Sequence, residues 1–189
     1  MAVDAPTFLK QVTILRDTRE RENGHILRAL DSLGVAHEAR KLDFGDYSFV
    51  AGGRDFSLSC VIERKANIDE LYGNLTRDRG RLEREFEAGS RLARDFILLL
   101  ENCPSMEALR AHEVDEREMV RLGRTQKKTG AHCCATIKSW QCGNRYGFRT
   151  LFVANPADTA RAMLEEFYYV WRNYRLATAR RVLPRAGRR

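Results

Sequence analysis

The stretch CVIERKANIDEL, residues 60–71, carries an apolar run directly into three charged side chains. If this run is a β-strand, residues two positions apart share a face of it. Glu63 and Lys65 then emerge side by side, while Ile62 and Arg64 point to the opposite face. Adjacent opposite charges at a strand end have two explanations: a solvent-exposed strand end, or a metal site.

A second acidic residue, Asp46, follows Gly45 in the preceding extended segment. Asp46 can face Glu63 across an antiparallel hairpin only if the turn is centred between residues 54 and 55. The sequence AGGRDFSL, residues 51–58, contains that midpoint and is rich in turn-forming residues. We therefore predict a hairpin that brings Asp46 and Glu63 together.

Two carboxylates held close together repel each other, and a hard divalent cation such as Mg²⁺ relieves that repulsion. Such a cation can activate water and neutralise a phosphate, while the ammonium of Lys65 can orient the water or stabilise developing negative charge. This set of groups favours hydrolysis of a phosphodiester. The spacing of Asp46, Glu63 and Lys65 is also compatible with ordinary exposed hairpin charges in so charged a chain.

Bulk composition favours one globular domain. The chain has 189 residues, of which 43% are hydrophobic and 31% charged. It has no apolar run near the roughly 20 residues that a membrane span needs, so we expect a soluble, intracellular protein without a membrane partner. The five cysteines form no spaced disulfide framework, which fits a reducing compartment.

The positive charge is concentrated at the C-terminus. Seven of the 33 Lys and Arg side chains lie from Arg172 onward, with no acidic residue among them, so the rest of the chain is formally neutral. Arg180 and Arg181 belong to this cluster. It is typical either of a contact with a phosphate backbone or of a disordered solubilising tail.

Hydrophobic periodicity predicts a mixed α/β fold. We predict an antiparallel hairpin from the extended segments 36–50 and 57–65, a polar loop over 121–132 and a central strand over 95–102. Asn155 is predicted to cap the last helix. The other predicted elements are strands over 11–20 and 148–155 and helices over 23–35, 105–122, 133–140 and 155–174. The charged segment 68–93 also favours helix, with Gly80 as a possible break.

The motif GDYSF…CVIERKANIDEL resembles that of the XPF-type family of structure-specific endonucleases, a branch of the PD-(D/E)xK nucleases. Six positions match in order: Gly45, Asp46, Glu63, Arg64, Lys65 and Asp69. ILRDTRE is similar to the family's first strand, which ends in Asp17, Arg19 and Glu20. GRLEREF and FILLLEN are similar to a later helix and strand of the family.

The resemblance implies a restriction-endonuclease-like fold, a mixed β-sheet flanked by helices, with residues 1–178 as one nuclease domain and 179–189 as a basic, flexible tail. It implies cleavage of DNA, often branched, with Mg²⁺ or Mn²⁺. Asp46 and Glu63 would hold the metal, and Lys65 would lie at the attacking water. The remaining implied roles are an acidic residue at the site edge for Asp17, a pair formed by Arg64 and Asp69, and substrate contacts for Arg19 and Arg81. The charge pattern adds Arg180 and Arg181 as candidates for substrate contacts.

Some alternatives stay open. Glu85 stands where many family members carry glutamine, which would alter a contact beside the site. In addition, no tandem helix-hairpin-helix module is visible, so a homodimer or an accessory DNA-binding partner is expected. A module of the same fold could bind DNA or a protein partner without hydrolysis. RNA is a further candidate substrate, because phosphate chemistry alone does not distinguish the sugars. His132, Cys133, Cys134 and Cys142 lack the spacing of a zinc site.

Overall fold

A seven-stranded mixed sheet forms the centre of the protein in a computed structural model that describes residues 5–123 and 127–182. The order is β2-β1-β3-β5-β6-β7, with β4 paired to β3. The pairs β1–β3 and β3–β5 are antiparallel, and β1–β2, β5–β6 and β6–β7 are parallel. The strands are β1 Val12–Arg16, β2 Ala36–Ala39, β3 Tyr47–Ala51, β4 Arg54–Asp55, β5 Cys60–Lys65, β6 Asp95–Glu101 and β7 Arg149–Val153.

Helices cover both faces of the sheet. One core joins α1, α2 and α8 to the sheet through residues such as Phe8, Ile26 and Phe167. The other joins α3, α4, α5 and α7 through residues such as Leu71 and Phe86. The helices are α1 Ala5–Leu9, α2 Gly24–Ser32, α3 Ile68–Thr76, α4 Arg79–Leu92, α5 Met106–Ala111, α6 Glu116–Leu122, α7 Thr129–Gln141 and α8 Thr159–Val182, with 3₁₀ turns at Cys142–Asn144 and Pro156–Asp158.

The register between β3 and β5 confirms the predicted hairpin alignment. Tyr47 pairs with Ile62, and the amide of Asp46 donates to the carbonyl of Ile62 at 2.8 Å. Asp46 and Glu63 are the next residues outward on the two strands. Gly45 makes this approach possible because its φ is +70° and a Cβ at this position would overlap Val61.

The central position predicted for the apolar run 95–102 is also confirmed. Strand β6 lies between β5 and β7, and its residues from Phe96 to Glu101 are all buried. A parallel strand covered on both faces needs such a continuous apolar sequence. Strand β6 pairs with β5 along its whole length and so holds in place the strand that carries the charged residues.

Several predicted boundaries differ from the structure. Residues 36–39 form β2, which pairs with β1 rather than joining the hairpin. The helix-permissive segment 68–93 forms two helices, and they are separated at residues 77–78 rather than at Gly80. The predicted polar loop over 121–132 includes the end of α6 and the start of α7. The side chain of Asn155 caps the 3₁₀ turn that precedes α8, by accepting from the amide of Ala157 at 3.0 Å.

Helix α8 continues to Val182, past the predicted domain boundary at residue 178, and residues 183–189 of the predicted tail lie outside the described residues. All five cysteines are free thiols, and only Cys142 is exposed. Among the described residues, no helix is both long enough and apolar enough to cross a membrane.

Candidate active site

A polar pocket of about 200 Å³ lies where β3 begins and β5 ends. It contains the three side chains predicted to converge: Asp46, Glu63 and Lys65. The other lining residues are Arg19, Glu20, Asp43, Phe44, Gly45, Arg64, Glu70, Arg81 and Glu85. The antiparallel hairpin and the alternation of β5 thus bring both carboxylates and the ammonium to one cavity.

Glu63 and Lys65 form a buried ion pair. Lys65 Nζ lies 2.7 Å from Glu63 Oε1, and each side chain is only 5% exposed. Burial opposes the charge of Lys65, but the carboxylates of Glu63 and Asp46 outweigh it and raise the pKa of Lys65 above its usual value. Lys65 is therefore a cation throughout the physiological pH range.

Asp46 lies beside this pair, in surroundings that disfavour an ionised carboxylate. Burial, followed by the negative charge of Glu63, raises the pKa of Asp46 well above its usual value. Lys65 and a hydrogen bond from the amide of Arg64 to Asp46 Oδ2, at 2.8 Å, oppose that rise. These surroundings therefore disfavour the ionised form of Asp46.

The side chain of Arg64 lies on the opposite face of β5, as the strand alternation predicts, and it is 5% exposed. Its guanidinium donates to Glu20 Oε1 at 2.9 Å and to Glu101 Oε2 at 2.7 Å. Glu101 also accepts from Thr159 at the start of α8, at 2.6 Å, and its Oε1 lies 2.8 Å from His25 Nε2 on α2. This network fastens β5 to β6, α2 and α8.

The predicted pairing of Arg64 with Asp69 is wrong. Arg64 faces away from α3 and pairs with Glu20 and Glu101, while Asp69 Oδ1 lies 3.8 Å from His112 Nε2. Glu70 lines the pocket instead, with Oε1 3.9 Å from Lys65 Nζ. Glu70 rather than Asp69 enters the pocket because of a hydrogen bond at the N-terminus of α3. There, Glu70 Oε2 accepts from the amide of Ala66, which turns the Glu70 side chain back toward β5.

Asp17 does not line the pocket, although it was predicted at its edge. The Asp17 carboxylate is fully buried and accepts from Nε of Arg19 at 2.6 Å and from the amide of Leu42 at 2.7 Å. Burial works against ionisation, but these hydrogen bonds prevail and lower the pKa of Asp17. Asp17 therefore holds Arg19 in place, and its amide donates to the carbonyl of Asp46 at 2.7 Å.

Two of the predicted substrate-contacting arginines lie at the pocket mouth. The side chains of Arg19 and Arg81 are 64% and 53% exposed, and Arg81 donates to Glu85 Oε1 at 2.8 Å. Arg180 and Arg181 lie near the C-terminus of α8, and their side chains fall outside the described part of the structure.

Sequence reasoning did not assign Glu20, Glu70, Glu85 and Glu101 to the site. Burial, followed by the charge of Glu63, raises the pKa of Glu85 above its usual value. Glu101 had a usable signal because it is the last residue of β6, and Glu20 had a weaker one because it lies in the turn after β1. Glu85 lies on α4, and only packing against the sheet brings it to Glu63.

A hard divalent cation fits this pocket. Asp46 and Glu63 offer carboxylate oxygens, the ligand type that Mg²⁺ and Mn²⁺ accept, and the charge of a cation would lower the pKa of Asp46. Among residues 5–123 and 127–182, no group of three or more His, Cys, Asp or Glu side chains is arranged around one metal position. Two protein carboxylates are enough for Mg²⁺, which usually keeps several waters.

Comparison with known proteins agrees with this architecture. The family model described as the ERCC4 domain matches residues 16–165, which include every residue of the pocket. No curated protein matches the chain.

Among solved structures, XPF from Aeropyrum pernix superposes with a TM-score of 0.58 at 22% sequence identity, over 89% of this chain and 69% of that chain. The structure of XPF from Aeropyrum pernix in complex with DNA superposes with a TM-score of 0.55 at 21% identity, over 92% of this chain and 68% of that one. The chain therefore has the fold of the XPF nucleases, and it belongs to the ERCC4 domain family.

Proposed function

We propose that this protein is a divalent-metal-dependent endonuclease that hydrolyses phosphodiester bonds in DNA. The observation that carries the proposal is the buried pair of Glu63 and Lys65, 2.7 Å apart, at the strand end that faces Asp46. Membership of the ERCC4 domain family and the likeness to a structure solved with DNA support DNA as the substrate.

Asp46 and Glu63 are the residues that would hold Mg²⁺ or Mn²⁺. When bound, the cation supplies charge neutralisation at the phosphate and lowers the pKa of a water molecule. Because Lys65 stays charged, its ammonium orients the attacking water and offsets negative charge that develops on the phosphate. Arg64 supports the reaction indirectly, because its amide fixes Asp46 and its guanidinium fixes β5.

Arg19 and Arg81 provide the first contacts to the substrate backbone. Both lie at the pocket mouth and are exposed, which suits phosphate contacts that position a nucleic acid without reading its sequence. Branched, flap and junction DNA are the substrates that the resemblance to structure-specific endonucleases favours. Acting on DNA places the protein inside the cell, with an accessory DNA-binding protein or a second copy as its expected partner.

A second candidate is a module of the same fold that binds DNA or a protein without cutting. Two observations favour it: Lys65 occupies one oxygen of Glu63, and the described residues offer no third protein ligand of the acidic, histidine or cysteine type. Under the main proposal, metal binding has to displace part of that ion pair.

The test is a cleavage assay of the full chain on flap, fork, Holliday-junction and single-stranded DNA and on matched RNA, with Mg²⁺, Mn²⁺ or chelator. We expect metal-dependent cutting of DNA that falls by at least about 100-fold in Asp46→Ala and Lys65→Ala. Lys10→Ala, which changes an exposed lysine, is the matched control and should cut normally. Binding to DNA without cutting by the wild type under any condition would favour the second candidate, and cutting of RNA alone would overturn the assignment of DNA.

A further inference from the structure

Glu85 on α4 lines the pocket, and the proposed reaction leaves it without a role. Its Oε1 accepts from Arg81 at 2.8 Å. Its Oε2 is shielded from solvent and accepts no hydrogen bond. Among the buried and half-buried residues that the structure describes, no other carboxylate oxygen lacks both solvent and a hydrogen-bond donor. A buried acceptor without a donor destabilises the folded protein, so this oxygen calls for a partner.

The surroundings of Glu85 indicate what kind of partner it needs. Burial, and next the negative charge of Glu63, disfavour the ionised form of Glu85, while the cations that line the pocket favour it. A water molecule alone would supply a hydrogen bond to Oε2, but it would leave the repulsion between the two carboxylates. A hydrated cation would supply the hydrogen bond and also offset that repulsion.

The cation that Asp46 and Glu63 would hold can act on Glu85 through its waters. Mg²⁺ binds few protein oxygens directly and usually keeps several water molecules. In residues 5–123 and 127–182, no three acidic, histidine or cysteine side chains surround one metal position, so Glu85 is not placed as a third direct ligand. Groups that hydrogen-bond to the immediate ligands of a metal orient those ligands and tune the affinity of the site.

We propose that Glu85 binds the hydrated cation of the pocket through water, with Oε2 accepting a hydrogen bond from the hydration shell. This inference rests on the proposed function, since it concerns the cation that Asp46 and Glu63 would hold. Glu85 is a positioning residue that raises the affinity of the pocket for Mg²⁺ and Mn²⁺. Glutamine, which many family members carry at this position, has nearly the same shape without the charge, so Glu85→Gln isolates the charge.

Titration of the full chain with Mn²⁺ in the absence of DNA tests the role of Glu85 without any turnover. Electron paramagnetic resonance measures the free ion, and competition gives the affinity for Mg²⁺. Glu85→Gln should raise the Kd of both cations at least about tenfold. The matched control is Glu83→Gln, which should leave both Kd values unchanged. Glu83 lies on the same helix and is 27% exposed, against 22% for Glu85, but it pairs with Arg79 and does not line the pocket.

Urea unfolding in chelator separates this role from a structural one. Glu85→Gln should leave the metal-free protein at least as stable as the wild type, because it removes a negative charge near Glu63 and because the exposed pair with Arg81 contributes little. Arg81→Met breaks the same ion pair but keeps the carboxylate, so it should not weaken cation binding. Loss of stability in chelator by Glu85→Gln would assign Glu85 to the fold and overturn the proposal.

The titration also distinguishes failure of this inference from failure of the proposed function. Equal Kd values for the wild type and Glu85→Gln, with binding intact in both, would overturn the role of Glu85 and leave the proposed function standing. Weakening by Glu83→Gln or Arg81→Met as large as that by Glu85→Gln would do the same. A wild type that binds neither cation at millimolar concentration would overturn the proposed function and this inference with it.

Discussion

Asp46 shows how one side chain couples the stability of this protein to its proposed activity. Burial and the negative charge of Glu63 raise the pKa of the Asp46 carboxyl, and the positive charge of Lys65 lowers it. The net result is a raised pKa. A group whose charged form is disfavoured in the folded state destabilises that state at pH values where it must ionise. A bound cation would remove this penalty, so ligand binding and folding stability are linked at this residue.

Replacing Asp46 by asparagine should therefore stabilise the metal-free protein at pH 7. The penalty is absent below the usual pKa of 3.8, grows as pH rises from there to the higher pKa of the folded state and is constant above it, so the advantage of Asp46→Asn should vanish toward pH 4. Urea unfolding in chelator from pH 4 to pH 8 measures this, with Asp43→Asn at the exposed pocket rim as the control.

The same variant should lose stabilisation by metal. At a Mg²⁺ concentration of 100 times its Kd, the wild type should gain about 2.7 kcal/mol in free energy of unfolding, whereas Asp46→Asn should gain much less. An equal gain in both proteins would show that Asp46 does not hold the cation.

Gly45 allows the close approach of the two strands, and the chain contains a matched control for it. Both Gly45 and Gly53 have positive φ, +70° and +74°, but only at Gly45 would a Cβ meet other atoms, those of Val61 and Ile62. Gly53→Ala should cost about 1–2 kcal/mol for the left-handed backbone alone. Gly45→Ala should cost roughly a further 1–3 kcal/mol and lower cleavage, because Asp46 must move. Equal destabilisation in chemical unfolding would contradict this explanation.

At the scale of elements, β5 carries two different networks on its two faces. Glu63 and Lys65 face the pocket, while Arg64 between them joins Glu20 and Glu101 on the other side. A buried ion pair contributes little net stability, but removal of one partner leaves an uncompensated charge. The network of Arg64 thus fixes the orientation of the strand that presents Glu63 and Lys65 to the pocket.

Glu101→Gln should destabilise the protein by about 3–5 kcal/mol at pH 7, because Arg64 would keep only Glu20 as a charged partner. Burial raises the pKa of Glu101, but hydrogen bonds from Arg64, Thr159 and His25 outweigh it and lower the value below 4.5. The stabilisation is complete above pH 4.5 and is lost as pH falls through the folded pKa. The difference from wild type should therefore shrink in acid unfolding experiments.

The control for this prediction is Glu87→Gln, which changes an exposed carboxylate paired with Arg91 and should cost less than about 1 kcal/mol. A small cost for Glu101→Gln, comparable to this control, would show that the network does not hold β5. The same two variants test whether Glu101 positions the strand that carries Glu63 and Lys65. Glu101→Gln should lower cleavage even under conditions where the protein remains folded, whereas Glu87→Gln should not.

At the scale of the molecule, helix α8 connects the network of Arg64 with the hairpin residues around Phe56. It begins at Thr159, whose hydroxyl reaches the network of Arg64, and it crosses the sheet to Tyr174, beside Phe56 and Arg54. With a rise of 1.5 Å per residue, that crossing is about 22 Å long. Arg180 and Arg181 therefore lie on a helix that leads away from the pocket.

We predict that Arg180 and Arg181 contact nucleic-acid phosphates. Exchange of both for alanine should weaken binding to duplex DNA and reduce the slope of log K against log salt by about 1.8, since each phosphate contact contributes about 0.9. Fluorescence anisotropy across a salt series measures the slope, in an Asp46→Asn background to prevent cutting. Arg161→Ala is the control, and an unchanged slope in the double variant would assign the basic cluster to solubility alone.

The sequence predicted the centre of the site better than its surroundings. Asp46, Glu63 and Lys65 meet as expected, because the alternation of a strand and the midpoint of a hairpin are local properties. Arg64 was placed on the correct face but given the wrong partner, and Asp17 was predicted at the site edge although it lies behind Arg19 and does not line the pocket. Those assignments depend on elements far apart in the chain.

The sequence by itself determined which side chains share a face, where the hairpin turns and which strand is central, because periodicity and turn composition act over a few residues. Tertiary structure alone decided that Glu70 rather than Asp69 enters the pocket, that Glu101 holds Arg64, and that Glu85 lies near Glu63. The physical reason is that these contacts join α3, α4 and β6 to β5. Their geometry follows from how whole elements pack, which no local pattern encodes.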